Sequence, residues 1–339
     1  MRQSGAQEQQ ASQVRVDEST PALRVISVYC GAGGMDLGFR GDFVYRRRRY
    51  KRLNYKIALA VDSDRAACVV YRQNLGPVAC ADVRDVVEWP EADVVIGGPP
   101  CQPFSAAGAK RGRADGRDGL PAFVDVVRRV RPLAFVMENV PGFMERSAFA
   151  EERATFVRDM EAAGYRLRHT ILDAADFGVP QHRRRVFIVG MQDGAPVRGF
   201  RFPRPTHGPD GRRDHVTVRE AIGDLHFPYH DRHLQTAGVG ALAEGERRFP
   251  GFGASARRVA ADRPFPTIKA SDTASARLYH PWFDRALLMP ELLRAQSFPD
   301  DYITPPRTPV IGNAVPPVLA WHIAKSLASA LPLVPGRTA

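Results

Sequence analysis

Short apolar segments, each ending in glycine or a polar residue, recur along the first 190 residues and constrain the fold more than any other feature. The first, Leu23–Tyr29, runs into the tight turn Cys30–Gly34. Ile57–Val61, Val94–Ile96, Ala134–Met137 and Val186–Val189 follow. Helical spacing lies between some of them, as in Phe123, Val126, Val127 and Val130 before the breaker Pro132. Strands alternating with helices predict an α/β domain whose mostly parallel sheet is covered on both faces. Ligands of such sheets bind beyond the carboxyl ends of the strands.

From Met191 to about Pro266 the chain is rich in Gly, Pro and Arg and its periodicity is poor. Regular patterns return near Met289 and over Pro317–Leu331. This texture divides the chain into a polar tail (1–20), a large domain (21–191), a smaller irregular one (192–285) and a return to the first (286–339). The Gln-rich tail has few large groups to bury, so it reads as disordered and as neither signal peptide nor anchor.

Forty-eight Lys and Arg against 37 Asp and Glu leave a net charge of +11, which favours a polyanion partner. Nothing approaches the roughly 20 apolar residues of a membrane helix, so a soluble, cytoplasmic protein is expected. Cys30, Cys68, Cys80 and Cys101 form no CxxC pair, which argues against a zinc site or a disulfide framework.

Three groups of residues carry chemistry. Gly31, Gly33 and Gly34 follow the first strand, where backbone can approach a ligand closely. Asp62 closes the next strand, placed for the hydroxyls of a ribose, and Asp82 follows a third segment, placed for an adenine amine. Asp36 stands where the dinucleotide fingerprint needs its third glycine, which disfavours a nicotinamide enzyme. A nucleoside cofactor without a pyrophosphate fits better, S-adenosylmethionine being the common one. For each of these residues, a surface loop is the bland alternative.

The second group starts at Gly97–Ser105, where two prolines and two glycines stiffen a loop that presents Cys101. A cysteine in such a loop is more often reactive than one within an apolar strand. Glu138 ends the strand Ala134–Met137 on the same edge, where partial desolvation favours a proton-donating carboxyl. Third, Gln181, Arg183 and Arg185 alternate before the strand Val186–Val189 and so share one face, suited to phosphates or a base carbonyl.

Together these residues resemble the bacterial DNA (cytosine-5) methyltransferase family. Tyr29–Gly34 looks like its cofactor-binding first motif, Gly98–Ser105 its catalytic loop, Glu138–Val140 its glutamate motif and Gln181–Arg185 its Gln-x-Arg-x-Arg motif. Pro290–Pro299 and Ile311–Pro317 resemble its last two. The resemblance implies a Rossmann-like, S-adenosylmethionine-dependent fold. It makes Cys101 the nucleophile, Glu138 the acid, Arg185 the partner of the cytosine carbonyl and Arg183 a support of the loop and DNA. Tyr29, Pro100, Leu120, Asn313 and Val315 would join the glycines and aspartates around the cofactor.

The irregular stretch falls where the family keeps its target recognition domain. Arg212, Arg213, Arg247, Arg248, Arg257 and Arg258, with Ser105 and Gln181, are then candidate DNA contacts, simple solubility being the alternative for the arginines. Double-stranded DNA is the implied partner, with a restriction endonuclease as a separately acting companion. One flipped base per site requires only a monomer.

Three features depart from the family. Tyr29 replaces the usual Phe. Gly116–Leu120 stands in for a segment built around Asp-Pro-Arg, so only Leu120 carries over. The basic stretch Tyr45–Arg52 matches nothing in the pattern and reads as an extra phosphate contact or a solvated loop. The rival readings are a transfer-RNA cytosine methyltransferase, whose Cys-Phe-Thr tripeptide is absent, a silent DNA-binding regulator and an unrelated oxidoreductase.

Overall fold

The computed structural model describes residues 22–100, 119–195, 199–225, 257–275 and 277–331. Cys101, Ser105, Arg247, Arg248 and the 1–20 tail lie outside the described residues.

The apolar runs form a seven-stranded sheet. Its strands are β1 (Leu23–Val28), β4 (Tyr55–Asp62), β5 (Ala79–Cys80), β6 (Val94–Gly97), β7 (Ala134–Asn139), β8 (Tyr165–Asp173) and β9 (Arg184–Gln192). Their spatial order is β5-β4-β1-β6-β7-β9-β8. The pairs from β5 to β7 are parallel, and β9 runs antiparallel to both β7 and β8. Strand order therefore reverses between β1 and β6, and a crevice opens there at their carboxyl ends.

Period-two alternation sends side chains to two cores. Val25, Val94, Ile96, Ala134 and Val136 face the layer holding α1 (Gly34–Arg40) and α10 (Pro317–Ala330). Ile26, Val95, Phe135 and Met137 face α3 (Leu120–Val130) and α5 (Ala150–Ala162). Each of the Val, Ile, Phe and Met side chains among them, fully buried, contributes about 1.5–3 kcal/mol. The first layer is close because of Gly38, where a Cβ would meet the Ala320 Cβ at 2.4 Å. α2 (Arg65–Asn74) starts where the Asp64 side chain accepts from the Ala66 and Ala67 amides.

β8 escaped the sequence reading because it is an edge strand. Arg166, Arg168 and His169 face solvent along it, so no apolar run marks it. The antiparallel hairpin of β2 (Phe43–Tyr45) and β3 (Arg48–Tyr50) was hidden by its own arginines.

Past β9, the described segments carry α6 (Val218–Ile222), a short parallel pair of β10 (Arg257–Arg258) with β11 (Leu278–Tyr279), and α7 (Ala270–Ser275). α8 (Met289–Ala295) and α9 (Pro309–Asn313) then lead the chain back to α10. Gln181 forms an isolated bridge with Phe265, stitching the β8–β9 turn to these segments.

Candidate active site

A cleft of about 840 Å³ opens at the carboxyl edge. Its wall draws on the turn after β1, the ends of β4, β6 and β7, and the segment around α9. Gly31 is left-handed, at φ +57°, and a Cβ built there would meet no atom within 4 Å, so its backbone borders open cleft. Its amide donates to Asp62 Oδ2 at 2.7 Å, and the Asp64 amide donates to Asp62 Oδ1 at 2.8 Å. Burial nevertheless raises the Asp62 carboxyl above its ordinary range. Gly33, also left-handed, stands at the start of α1, where a side chain would strike Leu75.

Gly34 packs against the other end of the chain. A Cβ there would lie 2.1 Å from the Val315 carbonyl oxygen and 3.1 Å from the Phe298 ring. Because the nearer atom is backbone, Gly34→Ala is expected to push apart two walls of the cleft, at about 1–3 kcal/mol for overpacking. A lowered unfolding midpoint in guanidinium is the readout, and an unchanged midpoint would refute the close approach.

Tyr29 follows β1 and donates its hydroxyl to the Gly119 carbonyl at 3.1 Å. The Gly119 amide donates to the Pro100 carbonyl at 3.0 Å, so Pro100 and Gly119 meet beside Tyr29. Leu120 is buried at the first turn of α3, while Asn313 and Val315 line the cleft. Asp82 is on the same edge but is not among the lining residues. Both its oxygens are held by Arg84, which lowers its pKa to about 2.

The acid and the arginine meet at the end of β7. Arg185 Nε lies 2.9 Å from Glu138 Oε1, with only 16% and 12% of the two side chains exposed. Oε1 has no aligned hydrogen bond, so charge rather than a directed N–H holds the pair. The loop toward residue 101 runs against them. A Cβ on Gly98 would lie 3.2 Å from Glu138 Oε2, and Asn139 donates from Nδ2 to the Pro99 carbonyl at 3.3 Å. Residues 98–100 are thus braced from β7 directly before Cys101.

The alternation across 181–185 is real, but its inner face is turned into the protein. Gln181 is fully buried and bonds to Ala295, Gln296 and the Ile268 amide. The expectation that it touches DNA is corrected: these partners use both ends of its amide. Arg183 is also buried, donating to the carbonyls of Ile268, Gly312 and Asn313 at 3.0–3.1 Å. Burial, then the charge of Arg185, push its pKa down to about 9. It supports the cleft wall around Asn313 and has no surface to offer DNA. Arg183→Met would strand three carbonyls at about 1 kcal/mol or more each. A loss of about 3 kcal/mol in chemical denaturation is expected, and less than about 1 kcal/mol would show that the wall does not need it.

Of the candidate DNA contacts, Arg212 and Arg213 are exposed, and Arg257 is half-exposed, 4.0 Å from Asp272. Arg258 is partly buried, its guanidinium engaged by the His280 and Phe283 carbonyls and by Asp284. Sequence reasoning used Asp36 only to exclude a nicotinamide cofactor. It is in fact a buried cleft residue, accepting from the Ser27 and Tyr71 hydroxyls at 2.9 and 2.8 Å. Burial raises its pKa to about 6 against both bonds. The one signal available was a carboxylate set among Met35, Leu37 and Phe39.

A family model described as C-5 cytosine-specific DNA methylase matches residues 23–329. The type II methyltransferase M1.HphI of Haemophilus parahaemolyticus is 31% identical, over 90% of this chain and 87% of that one. M.MthTI of Methanothermobacter thermautotrophicus is 31% identical over 90% and 97%. Among solved structures, a DNMT2 mutant from Spodoptera frugiperda superposes with a TM-score of 0.63 at 16% identity, covering 90% of this chain and 99% of that one. The Dnmt2 methyltransferase of S. pombe gives 0.61 at 18%, covering 90% and 98%. These two likenesses speak to the fold alone.

Proposed function

The chain belongs to the C-5 cytosine-specific DNA methylase family and is a DNA (cytosine-5-)-methyltransferase; on that premise we propose that it acts on a cytosine flipped out of one short duplex site, through a transient bond from Cys101. The observation that carries this reading is the Glu138–Arg185 pair beside the braced loop leading to Cys101.

A paired cytosine hides its reactive face, so the base must leave the stack. Its Watson–Crick edge presents the amine, N3 and O2 in a row. Glu138 takes the amine and N3, and Arg185 takes O2. Their mutual contact keeps both side chains aligned before the base arrives. The Cys101 thiolate then forms a bond to ring carbon 6. The C5–C6 π pair shifts to carbon 5, while a proton that Glu138 takes up from solvent passes to N3 and offsets the charge that builds on the ring. S-adenosylmethionine, when bound, supplies the electrophilic methyl group for carbon 5. A base removes the C5 proton, whose electron pair re-forms the double bond as the carbon–sulfur bond breaks and the thiolate departs, and the N3 proton returns to Glu138.

The residues present suit that cofactor. Gly31 leaves backbone bare at open space, Asp62 offers a carboxylate for the ribose, and Tyr29 offers a ring to stack. Asp82 would take the adenine amine, exchanging part of its hold on Arg84, and Asn313 and Val315 would flank the methionine end. Double-stranded DNA is the substrate, read by the 192–285 region with Arg212, Arg213, Arg247, Arg248 and Arg257 as candidate contacts. Two relatives are named type II methyltransferases, which supports a separately acting restriction endonuclease of the same site as companion. No helix among the described residues is long and apolar enough to cross a membrane.

Bisulfite sequencing of DNA from a methylation-free bacterial host expressing the chain tests the reading. Protected cytosines recurring in one short sequence are expected. A blank genome with soluble protein would move the substrate to RNA or leave a silent binder.

A further inference from the structure

The basic stretch between the first two cofactor motifs is a built hairpin. Tyr45 pairs with Arg48 across a two-residue turn whose members, Arg46 and Arg47, both have positive φ, at 44° and 61°. Such turns favour Asn-Gly, since a Cβ at positive φ is strained. Here two arginines hold those positions.

The mount beneath them is rigid. Phe43 and Tyr50 stack at 4.9 Å, Tyr50 meets Trp321 edge-on at 5.3 Å, and Tyr45 donates its hydroxyl to the Arg294 carbonyl at 2.8 Å. Arg48 lies over the Tyr50 ring at 5.0 Å. The hairpin springs from the amino edge of the sheet, since Gly41 caps α1 and Leu53 leads into β4. The catalytic pair is at the opposite edge.

A second basic turn lies in the chain segment leading to Glu220, whose Oε1 is 4.0 Å from Arg46 Nη2. Its backbone closes from the Gly208 amide to Arg213 and from the Arg212 amide to Thr206, leaving Arg212 and Arg213 exposed. Buried His207 is held below its ordinary pKa by desolvation and by the charges of Arg213, Arg48 and Arg46, so the two turns share one field. Asp42 engages Arg49 and Glu220 engages Arg46. Arg47, Arg48, Arg212 and Arg213 have no carboxylate within 4.0 Å among the described residues, although Asp210 and Asp214 are exposed nearby in sequence.

We infer that Arg47, Arg48, Arg212 and Arg213 form a platform, outside the catalytic cleft, for the phosphates of duplex DNA flanking the modified site. It rests on the DNA-methylation reading and adds a second contact to it. Guanidinium forks match phosphate oxygens, and the duplex carries one charge per ~1.7 Å. An acidic protein is the weaker fit. Beyond Val44, 55% exposed, the hairpin offers no apolar side chain for the desolvated centre a protein interface needs. Strain kept at a turn tip for charge is what a contact surface would retain.

The test is the salt dependence of binding to duplexes of about 12 and about 40 base pairs that carry the site found by bisulfite sequencing, ~40 and ~140 Å long. On the long duplex, R47Q/R48Q should lower the slope of log K against log salt by about 2, and R212Q/R213Q by a similar amount. R47K/R48K should keep it. On the short duplex R47Q/R48Q should bind and accept methyl groups as the wild type does. A further variant, R46N/R47G, supplies the residues that the turn prefers. It should unfold at a higher temperature yet bind the long duplex more weakly, which a merely structural hairpin would not do. Equal slopes for R47Q/R48Q and wild type on the long duplex would overturn the platform in favour of a protein partner or a solvated surface. Absence of methyl transfer by the wild type on any duplex would instead overturn the underlying enzymatic reading.

Discussion

Cys101→Ser is expected to lower methyl transfer by on the order of 10⁴-fold or more, the scale seen when a nucleophile acting in concert with its partners is removed. A thiol is partly ionised near neutral pH, whereas a serine hydroxyl is not, so the substitution removes the attacking anion while changing one atom. Duplex affinity should remain within a few-fold, because phosphate contacts dominate it. Transfer of a labelled methyl group to a cognate oligonucleotide measures the first quantity, and fluorescence anisotropy the second. Activity within tenfold of wild type would remove Cys101 from the mechanism.

Glu138→Gln carries the second-largest expected effect, a fall of about 10²- to 10⁴-fold in the single-turnover rate, as for loss of a general acid. The amide has nearly the same shape, so loop bracing through Gly98 and Asn139 should survive. Two things are lost: a carboxyl able to pass a proton to N3, and the charge that faces Arg185 Nε at 2.9 Å. The rate of the chemical step should therefore drop far more than DNA affinity. A variant whose affinity collapsed while its rate held would make Glu138 a positioning residue for the base and not the acid.

The sheet was legible because each inner strand carries its own signal. β1, β6 and β7 are buried on both faces and read as continuous apolar runs, and the cleft turns follow them directly in sequence. β8 and the β2–β3 hairpin were not legible. Both are rich in exposed arginines, and their apolar partners come from other parts of the chain. Glu138 and Arg185, which the structure brings together, were likewise singled out by local cues, a charge ending an apolar strand and a charge alternating into one.

What those cues could not tell was the direction in which the alternating residues face. Gln181 and Arg183 share a face with Arg185, as their spacing requires, yet that face is covered by segments 85 to 130 residues further along. Tyr45 finds its partner 249 residues away. Local sequence by itself determined the strands, the turns between them and the residue types set at the carboxyl edge, since backbone conformation and side-chain type are properties of neighbouring residues. Only the tertiary structure decided which polar groups stay free to meet a substrate and which become internal braces. That choice depends on desolvation by distant parts of the chain, and a buried guanidinium must find acceptors wherever the fold happens to bring them.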